Sequence, residues 1–520
     1  MGTIAVHAAK DPDRVALIYG NGEARQTYGE LERNSRRLAH LLRRRGLERG
    51  GCVAALLDNA DPVFWELYWA CHRAGLYFTP VNWHLNEDEI RYIVEDSDAD
   101  ALFASRRFAD AAARVAKSCP RLRLRVATGG EIEGFEPIAA ALADVPEDAP
   151  LGAEWEGAVM LYSSGTTGRP KGVRRELPDL PAGHVSLELF AKGFLGLFGL
   201  GAGDRYLCPA PLYHAAPIVF SGHHLRVGAS VVVLPRFEPE LVLRAIQDQR
   251  CTSSQWVPTH FRRLLQLPES VRRSYDLSSL RVAVHAAAPC PVPVKRAMIE
   301  WWGEAIVEYY GGTEGGGTLI RAKDWLSHEG SVGRHWTGGK VWILDEEGRE
   351  VTQPGVEGAV YFASPATGRF SYHKDAAKTA STYRGDLFTI GDIGYLDADG
   401  FLFLTDRQSN MIISGGVNVY PQETENHLIV HPKVDDVAVI GVPDEEMGEQ
   451  VKAVVIPARG AVPGPELERE LIEYCRQGIA HYKCPRSIDF VTELPRTETG
   501  KMAKRTLRAR YWEGRGSKLV

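Results

Sequence analysis

Between residues 159 and 173 the chain reads VMLYSSGTTGRPKGV, an apolar run followed by hydroxyls, glycines and a lysine. Val159, Met160, Leu161 and Tyr162 have the composition of a buried strand end. Gly165 and Gly168 then free the backbone for tight turns that aim N–H groups inward. Ser163, Ser164, Thr166 and Thr167 add hydroxyl donors and Lys171 adds a charge, a set suited to the triphosphate of a nucleotide. The arrangement is not a Walker loop, in which Gly-Lys-Ser/Thr runs straight into a helix, because Arg169 and Pro170 separate the last loop glycine from Lys171. A loop rich in Gly, Ser and Thr is by itself most often a turn, so its meaning depends on what recurs downstream.

Three further places carry residue types that a nucleotide needs. Tyr309-Tyr310-Gly311-Gly312-Thr313-Glu314 follows a strand-like run. There an aromatic face can stack on adenine, Thr313 can meet a phosphate, and Glu314 can hold Mg²⁺ against the phosphates. The glycines up to Gly317 lack the dinucleotide-binding spacing, which excludes a Rossmann reading. Asp392 offers a carboxylate that can accept from both ribose hydroxyls, although alone it reads as a turn aspartate. Lys501 closes Leu494-Pro495-Arg496-Thr497-Glu498-Thr499-Gly500-Lys501, a place where most lysines are merely solvated.

The string YSSGTTGRPKG closely resembles the signature of the adenylate-forming superfamily, which makes acyl-adenylates from carboxylates and ATP. Acyl-CoA synthetases, amino-acid adenylation domains and luciferases belong to it. The later stretches resemble the family's own, in the family's order, from the phosphate loop to Lys501. The resemblance implies that the segment around Ala287 lies against adenine and the acyl group, that Arg407 contacts the nucleotide, and that Ser414, Gly415 and Gly416 help form the pantetheine tunnel for coenzyme A. It implies catalytic roles for Thr166, Glu314 and Lys501, the lysine bridging the substrate carboxylate and the α-phosphate. A mobile ammonium suits the charge that builds on a pentavalent phosphorus. The chain departs from the family at Ala286, Ala287 and Ala288, where glycine is common, at Asp406, where glycine is usual, and at Ser409, where the hinge residue is commonly Asp or Lys.

The reaction so implied is a two-step acyl-CoA synthesis with ATP, Mg²⁺ and coenzyme A, in which a small domain turns about the junction near Ser409 between the steps. His214, Trp256, His260, His285, Gly311 and Gly312 are the expected acyl-pocket wall, and the small residues of 311–317 are expected to leave room for a bulky hydrophobic acid. The alternatives are an adenylating ligase that loads a carrier protein, a luciferase-like oxygenase, and a non-catalytic nucleotide sensor. The stretch PAPLYHAAP at 209–217 lacks the aspartate that amino-acid-activating domains use for the substrate amine. Glu314 and Lys501 are residues that pure binding would not require.

The elements that must position these residues read as α/β. At 520 residues the chain can bury a large core in more than one domain, and a formal charge of −6 argues against a nucleic-acid binder. The eight cysteines are scattered without ligand-like spacing, which fits a reducing, cytoplasmic compartment. No run approaches membrane-spanning length, and a homodimer is left open. Thr27 and Glu30 form a capping box before a helix with Leu31, Leu38, Leu41 and Leu42 on one face, stopped by Gly46. Strands at 53–57, 101–104 and 122–126 alternate with helices at 62–74, capped by Asp61, and 108–118; strands near 231–234, 253–257, 281–286 and 306–309 follow. Two doubly wound sheets are therefore expected in a large domain, 1–406, with the phosphate loop near their junction and a small β-rich subdomain at about 332–404. A small mobile α+β domain is expected at 407–520.

Overall fold

The computed structural model describes residues 3–147, 151–163, 170–364, 368–407, 410–414, 417–444, 447–496 and 502–513. Its first sheet is parallel, in the order Glu136–Pro137, Leu124–Thr128, Ala99–Ser105, Cys52–Leu56, Tyr77–Pro80, Ala158–Val159. The helix Tyr28–Arg44 begins with the capping box at Thr27 and Glu30, and Leu31, Leu38, Leu41 and Leu42 are all buried. It packs with the helix Val63–Ala74, at whose start Asp61 Oδ1 accepts from the Val63 amide at 3.0 Å. That second helix is buried along its whole length because it lies in the core shared by both sheets, where Phe64, Trp65 and Trp69 belong to the same buried cluster as Leu17, Tyr206 and Val231. Each such ring contributes about 1.5–3 kcal/mol by leaving water.

The second sheet runs parallel through Val15–Tyr19, Ser230–Val233, Arg205–Cys208, Ser253–Trp256, Val282–His285 and Ile306–Gly312. Its strand Val15–Tyr19, flanked by the antiparallel edge strand Ala24–Thr27, comes from a part of the chain where the sequence reading placed no element. Beyond Ile306–Gly312 the sheet turns antiparallel through Gly315–Arg321, Ser331–His335, Leu402–Arg407, Asp392–Leu396 and Gly358–Ala363. The anticipated β-rich stretch is thus hydrogen-bonded to the second sheet through one hairpin, with a core around Ile343, Val360, Phe362 and Phe388.

A separate three-stranded antiparallel ribbon flanks the phosphate loop, with Lys171–Arg175 between Leu161–Ser163 and Phe370–Tyr372. At the C-terminal end, Ile412–Ser414, Val417–Val419, Val434–Asp444, Gly448–Pro457 and Ser487–Phe490 form their own sheet. The helices Pro421–Leu428 and Pro465–Gly478 cover a core of Leu428, Val439, Val455 and Leu471. Among the described residues no helix is long and apolar enough to cross a membrane.

Candidate active site

The strand Ile306–Gly312 ends in the hairpin turn Thr313-Glu314, and alternation along it sends consecutive tyrosines to opposite faces. Tyr309 joins the core between the sheets, whereas Tyr310 turns to the β-rich part, with its ring 6.0 Å from that of Phe362. The Tyr310 hydroxyl donates to Asp392 Oδ2 at 2.5 Å. Asp392 opens its own strand and is the cross-strand partner of Arg407. Residues 82 apart in sequence, expected to take the base and the ribose, are therefore in direct contact. Removing the hydroxyl frees a carboxylate that has lost a charge-assisted bond, which costs about 1.5–3 kcal/mol. Tyr310→Phe should accordingly raise the KM for ATP roughly tenfold or more while leaving the KM for the acid within about twofold, measured by pyrophosphate release.

The ribbon beside the phosphate loop reaches the same hairpin. Tyr372 donates its hydroxyl to Glu314 Oε1 at 2.8 Å, and Arg175 Nη2 donates to the Glu314 backbone carbonyl at 2.7 Å. A Cβ on Gly312 would stand 2.6 Å from Glu314 Oε2, so a side chain there would displace the Glu314 carboxylate. Lys171 Nζ donates to Asp375 Oδ2 at 2.8 Å and lies 5.8 Å from the Tyr372 ring centre. That bond, with one from the Lys378 amide, holds the Asp375 carboxyl below its usual range. The carboxylate of Glu314 suits Mg²⁺, which prefers one or two carboxylates together with substrate phosphates over a closed protein cage. Tyr372, Arg175 and Asp375 escaped the sequence reading; their only signal is the pairing of strands 200 residues apart.

Ala287 follows the strand Val282–His285 with φ of +77°, the left-handed region. Only glycine enters that region without a Cβ clash, so the alanine at 287 is held there at a cost in strain. Ser414 is buried at the end of Ile412–Ser414. Ser164, Gly165, Thr166, Thr167, Gly168, Ser409, Gly415, Gly416 and Lys501 lie outside the described residues, as do the side chains of Ser163 and Arg407.

The side chains expected to wall the acyl pocket have the following surroundings. Trp256 and His285 are 0% exposed. They are cross-strand partners whose side chains pack with Phe261, and Trp256 also meets Trp302, beneath the helices Pro258–Leu265 and Val292–Trp302. A side chain with no accessible area lines no open pocket. His260 is buried with them, stacked on Phe237 at 4.0 Å, and burial drops its pKa to about 3. The glycine run is filled as well. A Cβ on Gly311 would stand 3.0 Å from the Gly316 carbonyl, one on Gly316 would stand 2.7 Å from the Phe362 ring, and one on Gly317 would overlap Trp336. These glycines admit aromatic rings to the backbone; they do not leave empty volume. His214 stays half-buried at the start of the helix Ala215–Val227, its ring 4.4 Å from that of Tyr213.

On the opposite face a row of aromatics was missed. Phe190 is 51% exposed on the helix Val185–Leu197 and packs on His223 at 5.7 Å. His223 packs on Phe194 at 5.0 Å, Phe194 on Trp336 at 6.4 Å, and Trp336 stacks on Tyr309 at 6.4 Å. The row ends one residue from Tyr310. Burial, with help from Arg226, pushes the His223 pKa down to about 3, so its imidazole is neutral. The spacing of Phe190 and Phe194, four apart on one helical face, is the signal that could have found them.

The AMP-binding enzyme family model matches residues 4–371, and the AMP-binding enzyme C-terminal domain model matches residues 423–501. The chain is similar to a feruloyl-CoA synthase of an Amycolatopsis species, 34% identical over 98% of this chain and 99% of that protein. It is also similar to a long-chain-fatty-acid–CoA ligase of Mycobacterium tuberculosis, 30% identical over 97% of each chain. Among solved structures it resembles an anthranilate CoA ligase in complex with anthranoyl-AMP, with a TM-score of 0.83 and 27% identity over 98% of this chain and 97% of that one. A chain that carries both parts of the family in order, and aligns end to end with CoA ligases, belongs to the AMP-binding enzyme family and is an adenylate-forming enzyme.

Proposed function

We propose that this adenylate-forming acyl-CoA synthetase activates a hydrophobic carboxylic acid with an aromatic or similarly bulky body, seated along the row from Phe190 to Tyr309. The observation that carries the nucleotide half is the convergence of Lys171, the Tyr310 and Glu314 hairpin, and Asp392, from three distant parts of the chain, around one strand end. The observation that favours an aromatic acid is the aromatic row itself, and the feruloyl and anthranilate names of similar proteins agree with it.

In the first step a carboxylate oxygen of the acid bonds to the α-phosphorus of ATP as the bond to the bridging oxygen breaks and pyrophosphate leaves. Asp392, oriented by Tyr310, holds the ribose, and Lys171 moves its charge from Asp375 to the departing phosphates. Glu314, fixed by Tyr372, would hold Mg²⁺, which when bound offsets phosphate charge. Lys501 meets the charge at the α-phosphorus. In the second step the thiol sulfur of coenzyme A bonds to the acyl carbon, its proton is lost, and AMP leaves with the electron pair of the anhydride bond. Between the steps the domain boundary at residues 406 and 407, with Ser409 as the hinge, lets the small domain withdraw Lys501 and present Ser414, Gly415 and Gly416 to the thiol.

A panel of acids followed by pyrophosphate release, with and without coenzyme A, tests this reading. Aromatic acids should be turned over at least tenfold more efficiently than acetate; activity confined to acetate would overturn it. Comparison of free coenzyme A with a phosphopantetheinylated carrier protein decides the acceptor, and ATP binding without any pyrophosphate release would leave only the sensor.

A further inference from the structure

One carboxylate in the small domain is shared by arginines from both domains. Asp436, on the strand Val434–Asp444, accepts from Arg496 Nε at 3.0 Å on Oδ2 and from Arg496 Nη2 at 2.7 Å on Oδ1, a two-pronged pairing. Arg262, on the helix Pro258–Leu265 beneath the second sheet, brings Nη1 to 3.4 Å from Asp436 Oδ1. Its Nη2 donates to the backbone carbonyl of Asp435 and lies 3.7 Å from Asp435 Oδ1. Arg496 is the last described residue before the stretch that ends in Lys501. It forms an isolated antiparallel bridge with Met502, the next described residue, and the Ala503 amide donates to the Pro495 carbonyl at 2.8 Å. The base of the Lys501 segment is therefore tied through Asp436 to the large domain.

We propose that Arg262 is a positioning residue that selects the adenylate-forming orientation of the small domain, acting through Asp436 and Arg496. This rests on the reaction proposed above and adds to it the contact that sets its first step. The Arg496–Asp436 pair lies wholly within the small domain and survives a rotation. The Arg262 contacts cross between domains and must break. One face of the hairpin Ile412–Ser414 with Val417–Val419, which carries the residues proposed for coenzyme A, is open to water in this arrangement, with Ile413 50% and Val417 46% exposed while Ile412, Ser414 and Val419 are buried. An arrangement that turns this hairpin outward while anchoring Arg496 to the large domain is that of the first step. The interface beside the contact is open: a cleft of about 410 Å³ lies between Val292, Pro293, Arg296 and Ala297 of one helix and Val430 of the small domain. Where the walls of this cleft stand apart, the Arg262 contacts bridge the two domains beside it.

The test compares both half-reactions in the full chain. Arg262→Ala should slow acyl-adenylate formation about tenfold, while conversion of synthetic acyl-adenylate to the CoA thioester stays within twofold or quickens; Arg262→Lys, which keeps the charge without the fork, should fall between. Equal loss in both half-reactions, or no loss in the first, would overturn the proposal. Energy transfer between dyes on the two domains reads the same contact without turnover. Arg262→Ala should shift or broaden it, and an unchanged distribution would also overturn the proposal. If the native chain adenylates no acid, the reaction reading fails by itself, and the dye measurement still decides the contact.

Discussion

Lys501→Ala should lower acyl-adenylate formation by about 10²–10³-fold, the loss typical of one preorganised charge or donor aimed at a developing oxyanion. Transfer of a ready-made acyl group from synthetic acyl-adenylate to coenzyme A should stay within a few-fold of the native rate. The asymmetry follows from where negative charge builds. In the first step it accumulates on the oxygens of a five-coordinate phosphorus, and an ammonium there stabilises the transition state more than the ground state. In the second step the reacting centre is the acyl carbon, and in the proposed scheme the lysine has been carried away with the small domain. Rapid-quench measurement of pyrophosphate for one step and of thioester for the other separates them. An equal loss in both would mean that Lys501 serves the fold or general binding, and the two-orientation scheme would fall with it.

The sheets were legible in the sequence because parallel strands covered on both faces are written as short apolar runs between helical patterns, and 53–57, 231–234 and 253–257 each appear within one or two residues of the strands Cys52–Leu56, Ser230–Val233 and Ser253–Trp256. The same feature hid the direction of the side chains. In a strand buried on both faces no polar alternation marks which residue points to the nucleotide side, so Trp256 and His285 looked like pocket walls although their parity sends them under the outer helices. Val15–Tyr19 was missed for a related reason. Its parallel partner Ser230–Val233 lies more than 200 residues away, and the local sign, the Gly20-Asn21-Gly22 turn into the antiparallel strand Ala24–Thr27, was passed over.

At the proposed site, the sequence named Tyr310, Asp392 and Glu314 but not the side chains that touch them. Tyr310, Asp392 and Glu314 stand in short strings that a nucleotide-binding reaction needs in fixed order. Tyr372, Arg175 and Asp375 carry no such mark, because each acts by reaching across a strand pair or a hairpin that only folding creates. The glycines of 311–317 show the hazard of reading small residues as empty space. Their backbone is open to close approach, and Phe362 and Trp336 have taken the opening.

The largest effect on stability should come from a pair that touches no substrate. Lys295, on the helix Val292–Trp302, donates its ammonium to Glu308 Oε2, and both side chains are buried. The ammonium also lies 4.6 Å from the Trp325 ring, and His285 Nε2 is 3.9 Å from the same Glu308 oxygen. Burial pushes the Glu308 carboxyl up, against the pull of Lys295, and drives the His285 imidazole well below its usual range, so that it stays neutral. Lys295 is then the partner that lets Glu308 remain charged inside the core. Lys295→Met leaves a buried carboxylate without its cation and should cost about 3–5 kcal/mol. The apparent thermal midpoint should fall by about 5 °C or more. Lys295→Met combined with Glu308→Leu removes both charges and should recover most of that loss, because an apolar pair of similar volume has no desolvation penalty to overcome. Scanning calorimetry of the native chain, the two single variants and the double variant measures the coupling. A double variant no more stable than the single ones would show that packing volume, not the charge pair, holds the helix to the strand. Because Glu308 stands two residues before Tyr310 on the same strand, the Lys295→Met variant should also bind ATP more weakly at temperatures where it remains folded. The double variant should restore that affinity together with the midpoint.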